Sequence, residues 1–464
     1  MELRDKSVLV LGLGETGLSL ARWLVAQGAS VLVADSREQP PALAALQARL
    51  PQVGVRCGAF RAELLAGIDL IAISPGVPLS EPLVEQAVAR GIPVAGDIEL
   101  FAQQLTTSDC RPTTKVIAIT GANGKTTVTS MVGAMCRRAG LDAAVAGNIS
   151  PAVLDALLER GGRQPDAWVL ELSSFQLEST ATLNAAAATV LNVSEDHLDR
   201  YPGMAEYAAA KARIFRGGGV QVLNRDDTRS LSMALPGRAQ TTFGLNAPPA
   251  ENDWGITRDS GNIWLMQGNR RLLNAKELRV TGLHNVANAL AALALCRAIE
   301  LPLSPLLGAL RDFEGLPHRV EQVAEIGGVV YYDDSKGTNV GATVAALEGL
   351  GRQAVLIAGG EGKGQDFSPL HPAVARHARA VVLIGRDADR IANALKDCGP
   401  VVEYARDMAD AVRRSAALAR PGDAVLLSPA CASFDMFRNY AHRAEVFVAA
   451  VRALQEEATC TPRS

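Results

Sequence analysis

The sequence predicts an α/β protein built from three consecutive domains. Three observations carry this. Short apolar runs alternate with helix-length stretches through most of the chain, and glycine-rich turns follow several of those runs. The length, 464 residues, is about three times the roughly 150 residues of an ordinary domain. Hydrophobic residues make up 48% and charged ones 20%, so each domain can bury a core, and a disordered or fibrous chain is excluded.

In the first hundred residues, 7–11, 31–34 and 70–74 read as strands and 18–27 as a helix, which gives βαβ units and a parallel sheet. Residues 103–114 are polar and contain Pro112, and they read as a linker closing a first domain over 1–104. The apolar run 115–120 opens a second α/β domain over 105–315. Within it, turn residues at 259–262 and 267–269 divide 255–275 into a small antiparallel meander. A helix is predicted over 285–299, and 314–318 (EGLPH) interrupts the pattern. Strand-like runs at 329–332, 354–358, 380–384 and 424–427 then define a third α/β domain over 316–464.

Forty-six Lys+Arg against 49 Asp+Glu give a net charge of -3, with no long run of either sign. That excludes the basic stripe of a nucleic-acid binder and a polybasic membrane anchor. The seven cysteines are dispersed without a C-x-x-C pair, as expected of reduced thiols. The opening residues carry both charge signs, and Gly12, Gly14 and Glu15 break the apolar run behind them, so no signal peptide is read. No stretch of about 18 apolar residues occurs. The expectation is a cytoplasmic, soluble protein without membrane insertion.

Gly12-x-Gly14-x-x-Gly17 lies between a strand and a helix, and Asp35 ends the next strand. Such glycines let backbone approach a diphosphate at a helix N-terminus, with the acid available to hydroxyls. The first domain is therefore Rossmann-like. An NAD enzyme is the natural reading of this motif alone, although it reports only a nucleotide diphosphate site. Gly121-Ala-Asn-Gly-Lys-Thr-Thr127 follows the strand 115–120 and opens a helical run at 128–139. Its N–H groups and Lys125 suit the phosphates of ATP, and a hydroxyl suits Mg²⁺. Ile119 stands where a first glycine of the longer P-loop would be, so the loop has the shorter form.

Glu171 ends the apolar run 167–170. It is either a Mg²⁺-holding carboxylate at a strand end or a first-turn helix residue stabilised by the dipole. Residues 192–199 (NVSEDHLD) gather Glu195, Asp196, His197 and Asp199 behind another strand, the composition of a second cation site. Lys211, in AAKARIF, reads from its surroundings as a helix-surface lysine. In the last third, 332–339 (YDDSKGTN), 359–366 (GGEGKGQD) and 428–435 (SPACASFD) each follow a strand, making a polar ligand edge on a second Rossmann-like domain. Cys431 invites a nucleophile reading, but no His lies near it in sequence and small-residue packing is the better account.

Together these segments resemble the ATP-dependent Mur ligases of peptidoglycan synthesis. LGLGETG and SPG (74–76), GANGKTT, ELSSFQLE, NVSEDHLDRY, the pair His318-Arg319, DDSKGTN, GGEGKG and SPACASFD spread the resemblance over the whole chain. ELSSFQLE, DDSKGTN and SPACASFD point to the D-glutamate-adding branch. The resemblance implies ligation of D-glutamate to UDP-N-acetylmuramoyl-L-alanine, with ATP consumed through an acyl phosphate and ADP and phosphate released. It reassigns the first domain to the UDP moiety, with Thr16, Asp35, Ser36, Arg37, Ser74 and Gly76 as contacts. Glu15 stands where an apolar residue is expected.

By the same resemblance, Gly121, Asn123, Gly124, Lys125, Thr126 and Thr127 hold the ATP phosphates, and Asn288, Arg319 and Asp334 touch the nucleotide. Two Mg²⁺ ions are implied, one on Thr126 and Glu171, the other on His197 and Lys211. The reading of Lys211 is thereby overturned, because N-carbamoylation would make it an anion. Lys336 is implied near the γ-phosphate, and Asn148 and Gln176 against the muramoyl substrate. Thr338, Lys363, Ser433, Phe434 and Tyr440 are implied at D-glutamate. The third domain would close over the second to exclude water, and the protein would act as a monomer. An NAD oxidoreductase would leave the P-loop without a task. A non-catalytic nucleotide binder would need neither Glu171 nor His197.

Overall fold

The computed structural model describes residues 2–107 and 114–460. These residues divide into two compact units, one falling within 1–193, 205–273 and 289–310, the other within 194–204, 274–288 and 311–464.

The first unit begins with the strands β1 (Ser7–Leu11), β2 (Ser30–Asp35), β3 (Gly54–Cys57), β4 (Leu70–Ile73) and β5 (Val94–Gly96). They form one parallel sheet in the order β3-β2-β1-β4-β5. Leu9, Leu11, Ile71 and Ile73 make a buried core against Leu83, Val84 and Ala87. The near-continuous apolar runs follow from burial on both faces of the sheet. Strand order reverses between β1 and β4, so a crevice opens beyond their C-terminal ends. The helix Glu15–Ala26 starts there, three residues earlier than its periodicity predicts. Its first turn is polar, and apolar spacing is silent about such residues. Residues 103–107 of the predicted linker finish the helix Asp97–Thr107, and residues 108–113 of it, with Cys110, lie outside the described residues.

A second parallel sheet follows, of β6 (Lys115–Thr120), β7 (Ala143–Gly147), β8 (Ala167–Glu171), β9 (Ala187–Val190), β10 (Val220–Asn224) and β11 (Gln240–Phe243), in the order β11-β10-β9-β6-β8-β7. Strand β6 lies between β8 and β9, so the loops leaving these three strands adjoin. The predicted meander is β12 (Trp254–Asp259), β13 (Asn262–Gln267) and β14 (Arg270–Asn274). Its turns fall on Ser260, Gly261 and Gly268, all at positive φ, as tight hairpins require.

The second unit carries β15 (Glu321–Ile326), β16 (Val329–Asp333), β17 (Ala354–Gly359), β18 (Ala378–Ile384), β19 (Val401–Tyr404) and β20 (Ala424–Leu427), in the order β15-β16-β20-β17-β18-β19. Only β15 runs antiparallel. Sequence patterning finds the four inner strands and passes over β15 and β19, because neither edge has a fully buried residue and so neither has an unbroken apolar run. Since β16, β20 and β17 are neighbours, the three polar loops 334–339, 428–435 and 359–366 leave the sheet side by side.

Candidate active site

At the crevice of the first sheet lies a cavity of about 550 Å³. Gly12, Gly14, Glu15 and Thr16 line it from the glycine turn, Asp35, Ser36 and Arg37 from the end of β2, and Ser74, Pro75 and Gly76 from the end of β4. Asn148, Ser150 and Gln176, behind β7 and β8, complete the wall. The predicted substrate contacts of this half of the chain are thus brought together. Phe60, Val77, Gly147, Ser150 and Ala152 also line the cavity and carried no motif that sequence reading could seize.

The glycines divide into two kinds. A Cβ on Gly17 would stand 1.9 Å from the Gly12 carbonyl oxygen, so helix and strand can pack only without it. A Cβ on Gly14 or Gly76 would meet nothing within 4 Å. The fold does not need their bareness, which leaves free volume in the cavity wall. Asp35 is committed locally: its carboxylate accepts from the Leu13 N–H at 2.6 Å, from the Arg37 N–H at 2.9 Å, and from both ends of the Arg37 guanidinium at 2.8 and 2.6 Å. Burial alone would raise its pKa, but the Arg37 hydrogen bonds and the two N–H groups outweigh burial and hold it near 2. Asp35 thus clamps the glycine turn and presents Arg37, which is 53% exposed, to the cavity. No lone pair is spared for the ribose of a dinucleotide without breaking that clamp.

The phosphate loop follows β6. Gly121 and Gly124 take φ of +155° and +83°, and Gly124 caps the helix Lys125–Arg138, aiming N–H groups and the positive helix end outward. Lys125 Nζ lies 2.8 Å from the Gly121 carbonyl and 2.9 Å from that of Ala122. Asn192, unassigned in the sequence, accepts from the Asn123 N–H at 2.8 Å and braces the loop from the end of β9.

Glu171 is the last residue of β8, directly opposite Ile119 of β6, and is 2% exposed. The neighbouring helix begins only at Ser174, so the first-turn reading of Glu171 is corrected: its geometry is that of a strand end. One carboxylate oxygen accepts from Asn148 Nδ2 at 2.7 Å, and the other is buried with no hydrogen-bond partner. A buried anionic oxygen left bare beside a phosphate loop has the chemistry of a Mg²⁺ ligand.

Lys211 corrects its sequence reading in the same way. It sits on the helix Met204–Ala212 yet is only 2% exposed. Its ammonium lies 4.5 Å from the Tyr207 ring and donates to the Gly121 carbonyl at 3.0 Å. It therefore shares an acceptor with Lys125.

In the second unit the acidic run 195–199 makes contacts both within itself and with the loop after β17. Asp196 lies 3.5 Å from His197 Nε2 and 3.5 Å from Lys363 Nζ, while Glu195 accepts from the Asp366 N–H at 3.1 Å. Among the described residues, the three groups that do converge are His318, Glu321 and Asp333. There His318 Nδ1 meets Asp333 at 2.7 Å, and the other Asp333 oxygen takes the Ser335 N–H at 2.9 Å. His318, Val320, Lys363 and Ala430 all stand at positive φ on or beside these loops, a local strain that binding loops commonly store.

Burial pushes the Asp334 carboxyl up to about 7, against a hydrogen bond from Ser428 at 2.7 Å and the charge of Arg319. Lys336 Nζ lies 3.8 Å over the Tyr440 ring, which packs edge-on against His318. Arg443, 1% exposed, bonds the carbonyls of Cys431 and Ser335 at 3.1 and 2.9 Å, tying the loop after β20 to the loop after β16. Ser433 is buried and Phe434 is 70% exposed. Asn288, on the helix Leu283–Ala298, donates to Asn285 at 3.2 Å. Thr338 is half-buried. Burial drives the Cys431 thiol up to about 12, which agrees with packing and not with a nucleophile.

Three family descriptions match the chain: Mur ligase MurD-like, N-terminal domain over residues 6–96; Mur ligase middle domain over 119–296; and Mur ligase, glutamate ligase domain over 318–431. The chain is 62% identical to the UDP-N-acetylmuramoylalanine–D-glutamate ligase of Nitrosospira multiformis, over 98% of this chain and 97% of that one. It is 60% identical to the ligase of the same name from Thiobacillus denitrificans, over 98% of both. Among solved structures, the UDP-N-acetylmuramate–alanine ligase of Thermotoga maritima shares the fold, with a TM-score of 0.61 and 20% identity over 97% of this chain and 99% of that one.

Proposed function

The chain belongs to the Mur ligase family, and from that premise we propose that it joins D-glutamate to UDP-N-acetylmuramoyl-L-alanine at the expense of ATP, in peptidoglycan precursor synthesis. The observation that carries the chemistry is the phosphate loop beyond β6 beside the half-satisfied Glu171 at the end of β8. The identity with full-length ligases of that name supports the substrate pair.

A carboxylate is a poor acyl donor, because its leaving group would be oxide. Phosphorylation by the γ-phosphoryl group of ATP replaces that leaving group with phosphate, and the neutral amine of D-glutamate then attacks the acyl carbon. The first step joins two anions, so the protein's task is to offset repulsion and hold charge. Lys125 and the N–H groups of 121–127 serve the phosphates. Thr126 and Glu171 would hold Mg²⁺; His197 and an N-carbamoylated Lys211 would hold a second. When bound, these ions supply charge neutralisation at the transferring group. Lys336 is assigned to the γ-phosphate, and Asn288, Arg319 and Asp334 to the nucleotide. Lys363, Thr338, Ser433, Phe434 and Tyr440 are assigned to D-glutamate.

The UDP end is assigned to the cavity of the first sheet, where Arg37 supplies a cation and Gly14 and Gly76 leave room. Among the described residues no helix is long and apolar enough to cross a membrane. A cytoplasmic monomer, with domains near 1–104, 105–315 and 316–464, completes the reading. Phosphate release from ATP with UDP-N-acetylmuramoyl-L-alanine tests it. Release that requires D-glutamate, and is absent with L-glutamate or diaminopimelate, is the expected result. ATP binding without release for any acceptor would overturn the substrate assignment.

The glycines give a sharper check on the cavity. Gly17→Ala is expected to lower stability by an overpacking cost of about 1–3 kcal/mol, read as a drop in the unfolding midpoint. Gly14→Ala should leave that midpoint in place and raise KM for the UDP substrate alone. Equal stability losses in the two variants would remove Gly14 from the ligand wall.

A further inference from the structure

Gln176 lines the cavity, and its side-chain amide is held from both ends. Its Oε1 accepts from the Ser173 N–H at 3.1 Å, as half of a capping box that starts the helix Ser174–Glu178. Its Nε2 donates to Asp97 at 3.0 Å, and both residues are 2% exposed or less. Turning the amide over would set Nε2 against the Ser173 N–H, two donors face to face, so one orientation is imposed. One Nε2 hydrogen is then spent on Asp97 and the other remains for the cavity. Asp97 itself follows β5 directly, at the start of the helix Asp97–Thr107. The packing there is tight, because a Cβ on Gly96 would lie 2.2 Å from the Ser179 hydroxyl. The second Asp97 oxygen is buried without a hydrogen-bond partner. Nearby Glu99 has a different task, since its carboxylate accepts from the N–H groups of Ala181 and Thr182 at 2.7 and 2.9 Å and ties its helix to that backbone segment.

We propose that Asp97 is a positioning residue: it fixes the Gln176 amide so that the cavity presents a hydrogen-bond donor to an acceptor oxygen of the bound nucleotide-sugar substrate. This rests on the ligase reading for the identity of that substrate. Removing the Asp97 acceptor frees the Gln176 amide to rotate, and the cost is about one neutral hydrogen bond, close to tenfold in affinity.

The test is equilibrium binding of UDP-N-acetylmuramoyl-L-alanine to the full chain by calorimetry. Asp97→Leu keeps the branched heavy-atom skeleton, at a larger volume, and removes the acceptor; it is expected to weaken binding about tenfold. Asp97→Asn retains an acceptor oxygen and should stay within about threefold of wild type. In a Gln176→Ala background, Asp97→Leu should have no further effect, because a residue acting through Gln176 has nothing left to act on. Glu99→Gln controls for general loosening and should change the melting temperature without changing affinity. The proposal is overturned if Asp97→Leu binds as wild type does, if Asp97→Asn fails as badly as Asp97→Leu, or if the loss persists without Gln176. Binding by the wild type without D-glutamate-dependent turnover would sink the ligase reading alone. No binding by the wild type would sink both.

Discussion

Lys211→Ala is expected to lower kcat by about a thousandfold or more, the scale on which loss of a charge-stabilising group acts in phosphoryl transfer, while the melting temperature stays within a few degrees. The asymmetry has a structural cause. Lys211 is buried under the phosphate loop, its nitrogen 3.0 Å from the Gly121 carbonyl that Lys125 also uses. As an ammonium it adds a second cation where Lys125 already serves the phosphates. As a carbamate it would be an anion able to hold a divalent ion, formed when its neutral amine adds CO₂. Removing the side chain deletes a buried charge from the folded state, and that need not destabilise it. Steady-state phosphate release checks the kinetics. High bicarbonate should not restore Lys211→Ala, whereas wild-type enzyme stripped of CO₂ should regain activity with it. A variant with near wild-type kcat would show that Lys211 holds no ion.

Glu171→Gln should cost roughly a hundredfold to ten-thousandfold in kcat and leave the fold intact. The variant amide oxygen can still accept from Asn148, which now bonds one carboxylate oxygen at 2.7 Å. Its NH₂ group replaces the oxygen that has no hydrogen-bond partner. The substitution thus removes the anionic ligand and keeps the packing. Because a lost Mg²⁺ ligand weakens ion binding, the Mg²⁺ concentration for half-maximal rate should rise in parallel. Phosphate release across a Mg²⁺ titration, beside a thermal melt, separates the two effects. An unchanged Mg²⁺ requirement would mean that Glu171 acts only by orienting Asn148.

Much of this was legible in the sequence because it is local. The strands Ser7–Leu11, Lys115–Thr120 and Ala424–Leu427 begin and end where their apolar runs do, since a doubly covered parallel strand must be apolar throughout. The two glycine loops were legible because a backbone at positive φ, or one in near contact, excludes side chains. The edge strands β15 and β19 were not, because a half-exposed strand has no unbroken apolar run to announce it. The helix Tyr440–Cys460 went unread as well, though it carries both Tyr440 and the buried Arg443.

The α/β class, the meander, the phosphate loop and the strand-end positions of the polar loops follow from periodicity and backbone conformation over a few residues. What the lone ionisable groups do is set by how distant segments pack. AAKARIF is the same string whether Lys211 faces water or the Gly121 carbonyl, and the packing of its helix against the loop beyond β6 makes the choice. Asp35 ends a strand and Asp97 follows one, yet the first is saturated by Leu13 and Arg37 while the second holds Gln176 with an oxygen to spare. Arg37 is close in sequence, but Leu13 and Gln176 lie 22 and 79 positions from the carboxylates they meet, and burial in a low dielectric makes such neighbours decide the electrostatics.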